Sequence, residues 1–205
     1  MSAVIRIGIA KGRGFLECAS LLRGEKNIEL PEEFLRERLT VVEDAGTQVI
    51  ALRGSDLPWL LGKGHIDVAV GSSVWFAEHD GGSTMEALPL NVGCCRLSLM
   101  AHAGSAVRRI CTRFPSLTRS RLRARYPEAE IITMAGSNEV SIVLGFADAI
   151  VDVVETGWTL CRFGLRELEV LEHVRHGIWV RRDDLRAGAA VSRLALETVM
   201  AGELP

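Results

Sequence analysis

Short apolar runs recur along this chain, and the stretches between them have helical spacing. Strands are predicted at Val4–Ala10, Leu39–Val42, Gln48–Leu52, Val68–Val70, Cys95–Ala101, Arg109–Thr112, Glu130–Met134, Ala149–Val154 and Gly177–Arg181. Several are almost wholly apolar, as parallel strands covered on both faces should be. Helices are predicted over Gly14–Arg23, from Ser55 to Leu61, over Ser116–Tyr126, over Asn138–Phe146 with closure at Gly145, and over Ala189–Met200. This alternation means an α/β architecture joined by right-handed crossovers. Gly81-Gly82-Ser83 reads as a surface loop, and a lobe boundary falls near Gly93–Arg96, where a new series of strands and helices begins.

Composition removes several functions. The formal charge is −2, so no basic surplus argues for nucleic acid. No apolar stretch reaches the ~20 residues of a membrane span. The start, Met1-Ser2-Ala3-Val4-Ile5-Arg6, runs directly into a strand and lacks a signal-peptide pattern, which predicts a cytoplasmic protein. Cys18, Cys94, Cys95, Cys111 and Cys161 form no Cys-x-x-Cys pair. They are expected to be small hydrophobes in a reducing compartment.

The stretch most suggestive of chemistry is Asp148 to Leu160, DAIVDVVETGWTL. An apolar strand there carries Asp152 and breaks into Glu155-Thr156-Gly157-Trp158-Thr159. In open α/β sheets ligands sit at the carboxyl ends of strands. Thr156 can cap the next helix, Gly157 lets the backbone approach a ligand, and Thr159 adds a hydroxyl. Backbone N–H groups at such a turn suit a phosphate. Asp152 and Glu155 suit sugar hydroxyls or a magnesium ion beside it. A capped strand–helix turn with a solvated Asp is the competing reading.

Gly136–Leu165, GSNEVSIVLGFADAIVDVVETGWTLCRFGL, closely resembles the signature region of the ATP phosphoribosyltransferase family. IGIAKGR (Ile7–Arg13), LRGSDLPWLLGKGHIDVAV (Leu52–Val70), CRLSLMA (Cys95–Ala101) and RICTRFPSLTRSRL (Arg109–Leu122) resemble further parts of it in the same order. The resemblance implies two α/β lobes with a cleft, similar to type II periplasmic binding proteins. Lobe I would hold 1–94 and 171–205, and lobe II 95–170. It implies transfer of phosphoribosyl from phosphoribosyl pyrophosphate to N1 of ATP, with Mg²⁺, as the first step of histidine biosynthesis.

By the same resemblance Glu155, Thr156, Gly157, Trp158 and Thr159 hold the 5-phosphate, and Asp152 lies near the ribose. Asp152, Arg53 and Lys11 are the expected catalytic residues; Arg13 and Glu139 join the substrate-binding set. A carboxylate steadies a ribosyl cation, and cations with Mg²⁺ favour departure of pyrophosphate. The metal would ride on the substrate pyrophosphate, with Asp152 a further ligand. The chain ends after one more helix, which resembles the short form of the family. A homodimer and a regulatory subunit similar to histidyl-tRNA synthetase are the expected partners.

The chain departs from the family pattern in places. Ala10 stands where proline is usual, and Gly71-Ser72-Ser73 where Gly-Lys-Asp is usual. Gly93-Cys94-Cys95-Arg96 has lost a cation, and Arg36-Glu37-Arg38-Leu39 alters another basic stretch. Transfer to a different acceptor is therefore one alternative, and a non-catalytic two-lobed binding module another.

Overall fold

The computed structural model describes residues 4–26, 29–36, 39–44, 46–79 and 81–184. Glu37, Arg38 and the helix expected over Ala189–Met200 lie outside the described residues. The chain forms two compact units, one taking in the described residues through Gly93 and again from Arg175, the other running from Cys94 to Val174.

The first unit contains β1 (Ile5–Ala10), α1 (Phe15–Lys26), α2 (Glu32–Leu35), β2 (Val41–Asp44), β3 (Thr47–Leu52), α3 (Leu57–Gly62), β4 (Val68–Ser72), α4 (Ser73–His79) and β5 (Thr84–Pro89). The second contains β6 (Cys95–Ala101), β7 (Arg109–Thr112), α5 (Pro115–Leu122), β8 (Glu130–Thr133), α6 (Glu139–Val143), β9 (Ala149–Val154), α7 (Trp158–Arg162) and β10 (Arg166–Val174). The chain then returns to the first unit as β11 (His176–Arg181).

The first sheet has the order β2-β3-β1-β4-β11-β5. Its centre is parallel, with Ala10 beside Leu52 and Ile9 beside Val70. Ile7, Ile9, Val49, Val68 and Val70 face a core filled by Phe15, Leu22 and Phe34. On the other face Leu57, Leu61, Ile66 and Phe76 pack together. Glycine makes that second layer possible. A Cβ on Gly8 would lie 2.7 Å from Ile66 Cδ1, and one on Gly71 would lie 2.7 Å from Leu57 Cδ1. The helix layer therefore sits directly on the backbone of β1 and β4.

The second sheet has the order β10-β6-β9-β7-β8. Here β7, β8 and β9 are parallel, whereas β6 and β10 run antiparallel to their neighbours. Met100, Cys111, Ile150, Val154 and Leu165 form part of its core.

Both sheets are mixed, which an apolar run alone does not reveal, because central antiparallel strands are covered on two faces as well. β5 and β10 are absent from the sequence-based expectation. Both are edge strands with exposed positions, and β10 carries Glu167, Glu169 and Glu172 with two register shifts. Their pairing partners, not their letters, make them strands. The helix expected to reach Tyr126 ends at Leu122, where the N–H groups of Arg125 and Tyr126 both turn back to the Leu122 carbonyl. The helix expected over Asn138–Phe146 shortens to α6.

Candidate functional site

Parallel strands bring their carboxyl ends to one edge, so each unit collects its candidate residues where the sheet topology requires. In the first unit Lys11 follows β1 and Arg53 follows the adjacent β3, and the Lys11 N–H donates to the Leu52 carbonyl at 2.7 Å. Arg53 is exposed and precedes a single 3₁₀ turn, Gly54–Asp56, ahead of α3. Arg13 is exposed in the turn that leads into α1.

Behind that turn lies His176, which sequence reasoning missed. It is buried, its Nδ1 3.2 Å from the Val92 carbonyl oxygen. A Cβ on Gly14, where the turn ends, would lie 3.0 Å from its ring. Burial above all holds this imidazole below its ordinary value of 6.5; the Arg13 charge adds to the effect, while the Val92 carbonyl and Glu17 oppose it. On acidification the unfolded chain therefore takes up this proton first. Stability present above pH 6.5 is expected to fall as the pH drops below that value. Melting temperatures from pH 8 to pH 5 should decline more steeply for the native protein than for His176→Asn. Parallel curves for the two proteins would remove His176 as the cause.

At the altered positions of the first unit, Ser73 Oγ accepts from the Arg175 N–H at 3.4 Å, and Ala10 is buried in the cluster with Leu57 and Phe76. In the second unit Cys94 is exposed. Arg96 is held by Glu167, with Nη2 2.7 Å from Oε2. Hydrogen bonding to Arg96 draws the Glu167 carboxyl below its usual range.

In the second unit Glu139 opens α6 after β8, Asp152 lies in β9, and Glu155–Thr159 follow the carboxyl end of that strand. Asp152 is largely buried, with 16% of its side chain exposed. It is not the unpartnered carboxylate that the apolar strand suggested. Asn138 Nδ2 donates to its Oδ2 at 2.7 Å, the Val153 N–H donates to its Oδ1 at 2.8 Å, and Arg113 Nε lies 3.7 Å from Oδ1. Asn138 and Arg113 are thus site neighbours that the sequence alone left unmarked, although Asn138 stands inside the quoted signature stretch.

After β9 the chain bends through exposed Glu155 and Thr156 to Gly157, which adopts φ 77° and ψ 6°. That left-handed conformation favours glycine and turns successive N–H groups into a concave surface. A side chain at Gly157 would find only Leu160 nearby, 3.8 Å away, so the space over the turn is open. The expected cap is weak: the Trp158 N–H reaches Thr156 Oγ1 at 3.4 Å. Trp158 points outward, 63% exposed, with the Arg162 guanidinium 5.1 Å from its ring centre. The N–H groups of the first turn of α7 have no acceptor within the helix.

Cys18 and Cys111 are the buried thiols expected, and burial pushes Cys18 up to about 12, which makes it unreactive. Cys94 and Cys161 are exposed, against expectation, because they fall in a connecting segment and on the open side of α7. Among the described residues no three His, Cys, Asp or Glu side chains gather to hold a metal, and no helix is long and apolar enough to cross a membrane.

Comparison with known proteins sets these two clusters in context. The sequence pattern of the ATP phosphoribosyltransferase family matches residues 53–199. The ATP phosphoribosyltransferase of Thermus thermophilus is 34% identical over 91% of this chain and 91% of its own length. Among solved structures, an ATP phosphoribosyl transferase (HisG:HisZ) complex from Thermotoga maritima aligns with a TM-score of 0.81 at 21% identity, covering 96% of this chain and 99% of that one. A histidine kinase sensor domain with similarity to periplasmic binding proteins aligns with a TM-score of 0.61 at 13% identity, covering 96% of this chain and 89% of that one. These structural likenesses bear on fold alone: two α/β units of the periplasmic-binding-protein kind.

Proposed function

Since the chain belongs to the ATP phosphoribosyltransferase family, we infer that it catalyses the first step of histidine biosynthesis, joining N1 of ATP to C1 of phosphoribosyl pyrophosphate and releasing pyrophosphate. Within the second unit, one juxtaposition carries the mechanistic reading: a held carboxylate, Asp152, stands on the strand that leads into an open left-handed turn at Gly157. The turn's N–H groups take the 5-phosphate. Asp152 steadies the positive charge that develops at C1 as the C1–oxygen bond to pyrophosphate breaks and the bond to N1 forms. Glu139 and Glu155 contact the sugar, and Thr156 and Thr159 supply hydroxyls to the phosphate. Lys11, Arg13 and Arg53 complement the phosphates of ATP and pyrophosphate. A magnesium ion would be carried in by the pyrophosphate, with Asp152 as a further ligand, and would supply charge neutralisation there.

The partner expected is a separate regulatory subunit, since the Thermotoga maritima relative was solved as a HisG:HisZ complex. A homodimer and a cytoplasmic location complete the proposal. Neither another acceptor nor a non-catalytic module finds support in the comparisons.

Pyrophosphate release with a panel of purine acceptors, with and without the partner subunit, tests this reading. Release with ATP is expected. Release only with another purine would overturn the acceptor assignment. The phosphate turn has its own test in Gly157→Val. A β-branched residue is strained at φ 77°, and its methyl groups would cover the N–H groups. Affinity for phosphoribosyl pyrophosphate is expected to fall roughly tenfold or more, the equivalent of about 1–2 kcal/mol. Calorimetric titration giving unchanged affinity would place the phosphate elsewhere.

A further inference from the structure

We propose that Asn138 is a positioning residue for Asp152, and that Cys111, Asn138 and Asp152 form a hydrogen-bonded relay that sets the direction of the carboxylate. The inference rests on the proposed role of Asp152 and adds to it.

Asn138 stands at the N-cap of α6, a place where an Asn side chain ordinarily accepts from the first turn of its own helix. Here it makes no such bond. It is fully buried, and its amide turns away from the helix to donate to Asp152 Oδ2 at 2.7 Å. On its other side Cys111 Sγ donates to Asn138 Oδ1 at 3.6 Å. Cys111 is fully buried, and burial raises its thiol above 9.0, so the sulfur keeps the proton it donates. The carboxylate leaves one orientation for the amide, because a flip would set an oxygen against it.

The backbone holds this arrangement. Ser137, just before Asn138, adopts φ 54°, a left-handed conformation that few non-glycine residues take up without a constraint. Ser141 Oγ donates to the Asn138 carbonyl at 2.6 Å, and the Val140 N–H reaches the Ser137 carbonyl at 3.0 Å. The Arg113 guanidinium lies over Gly136, where a Cβ would come within 3.2 Å of Nη2. Asp152 Oδ1 takes the Val153 N–H and Oδ2 takes Asn138. Each oxygen thus accepts one hydrogen bond, and Arg113 Nε lies 3.7 Å from Oδ1.

Two substitutions separate this role from simple filling of space. Asn138→Asp keeps the shape and sets a second carboxylate against Asp152, whereas Asn138→Ala leaves a void. Packing predicts that the alanine variant is the worse. The relay predicts the reverse: kcat about tenfold down for Asn138→Ala and further down for Asn138→Asp, with the KM for ATP unchanged. Asp152→Asn is assayed alongside. If Asp152→Asn is impaired but Asn138→Asp is at least as active as Asn138→Ala, the relay is overturned and the proposed role of Asp152 stands. If Asp152→Asn keeps full turnover, that proposed role fails instead. A measurement without substrate settles the relay independently. The Asn138 side-chain amide protons should exchange slowly by NMR, and rapidly in Asp152→Ala. Rapid exchange in the native protein would overturn the relay whatever the turnover.

Discussion

Asp152→Asn is expected to lower kcat by about 10²–10³, the usual cost of one preorganised electrostatic contact at a reacting centre. The side chain lies in an apolar strand, between Val151 and Val153, with the Arg113 guanidinium 3.7 Å from its Oδ1. Its oxygens are held by the Asn138 amide and the Val153 N–H, so the carboxylate does not have to reorganise as positive charge grows at C1. Asparagine keeps the shape and loses the charge. It also turns an NH₂ toward one of those two donors, a mismatch worth about 1–3 kcal/mol of stability. The fold should survive that loss with a lower melting temperature. Steady-state kinetics at saturating substrates, with a thermal melt on the same preparation, measures both effects. Turnover close to native in a folded Asp152→Asn protein would make the residue structural.

The second large effect is expected on stability, from Gly93→Val. Gly93 adopts φ 61°, and a Cβ there would lie 2.3 Å from Nδ1 and 2.4 Å from Cε1 of His176. That ring has little room to retreat. It is 4% exposed, and Gly14 presses on it, since a Cβ at Gly14 would come within 3.0 Å of Cε1. A left-handed β-branched residue and an overpacked core contact each cost roughly 1–2 kcal/mol or more, together about 3 kcal/mol. For a chain of this size that lowers the melting temperature by about 6–12 °C. The Lys11–Arg13 turn, which rests on the same ring, should loosen with it. A melt within about 2 °C of native would mean that the histidine is not the constraint described.

Much of the site was legible in the letters. The turn after β9 could be read because Gly157 follows an apolar strand and only glycine adopts φ 77° at little cost. Lys11 and Arg53 could each be placed at the end of a strand because their apolar runs end just before them, but that the two strands are neighbours came only from the sheet order. Arg96 could not be judged, because its partner Glu167 is 71 residues away on a strand the sequence did not announce. A still longer separation in sequence concealed His176, which meets Gly14 and Gly93 only after β11 returns to the first sheet.

The sequence by itself determined where the central apolar strands form and where most tight turns fall, because burial on two faces demands apolar runs and a positive φ favours glycine. Only the tertiary structure decided which strands run antiparallel, that acidic β10 is a strand, and that Asn138 leaves its own helix to hold Asp152. Strand and turn preferences are local, fixed by sterics and burial within a few residues. A hydrogen bond between side chains depends on where the folded backbone carries each of them, and local preference contains no record of that.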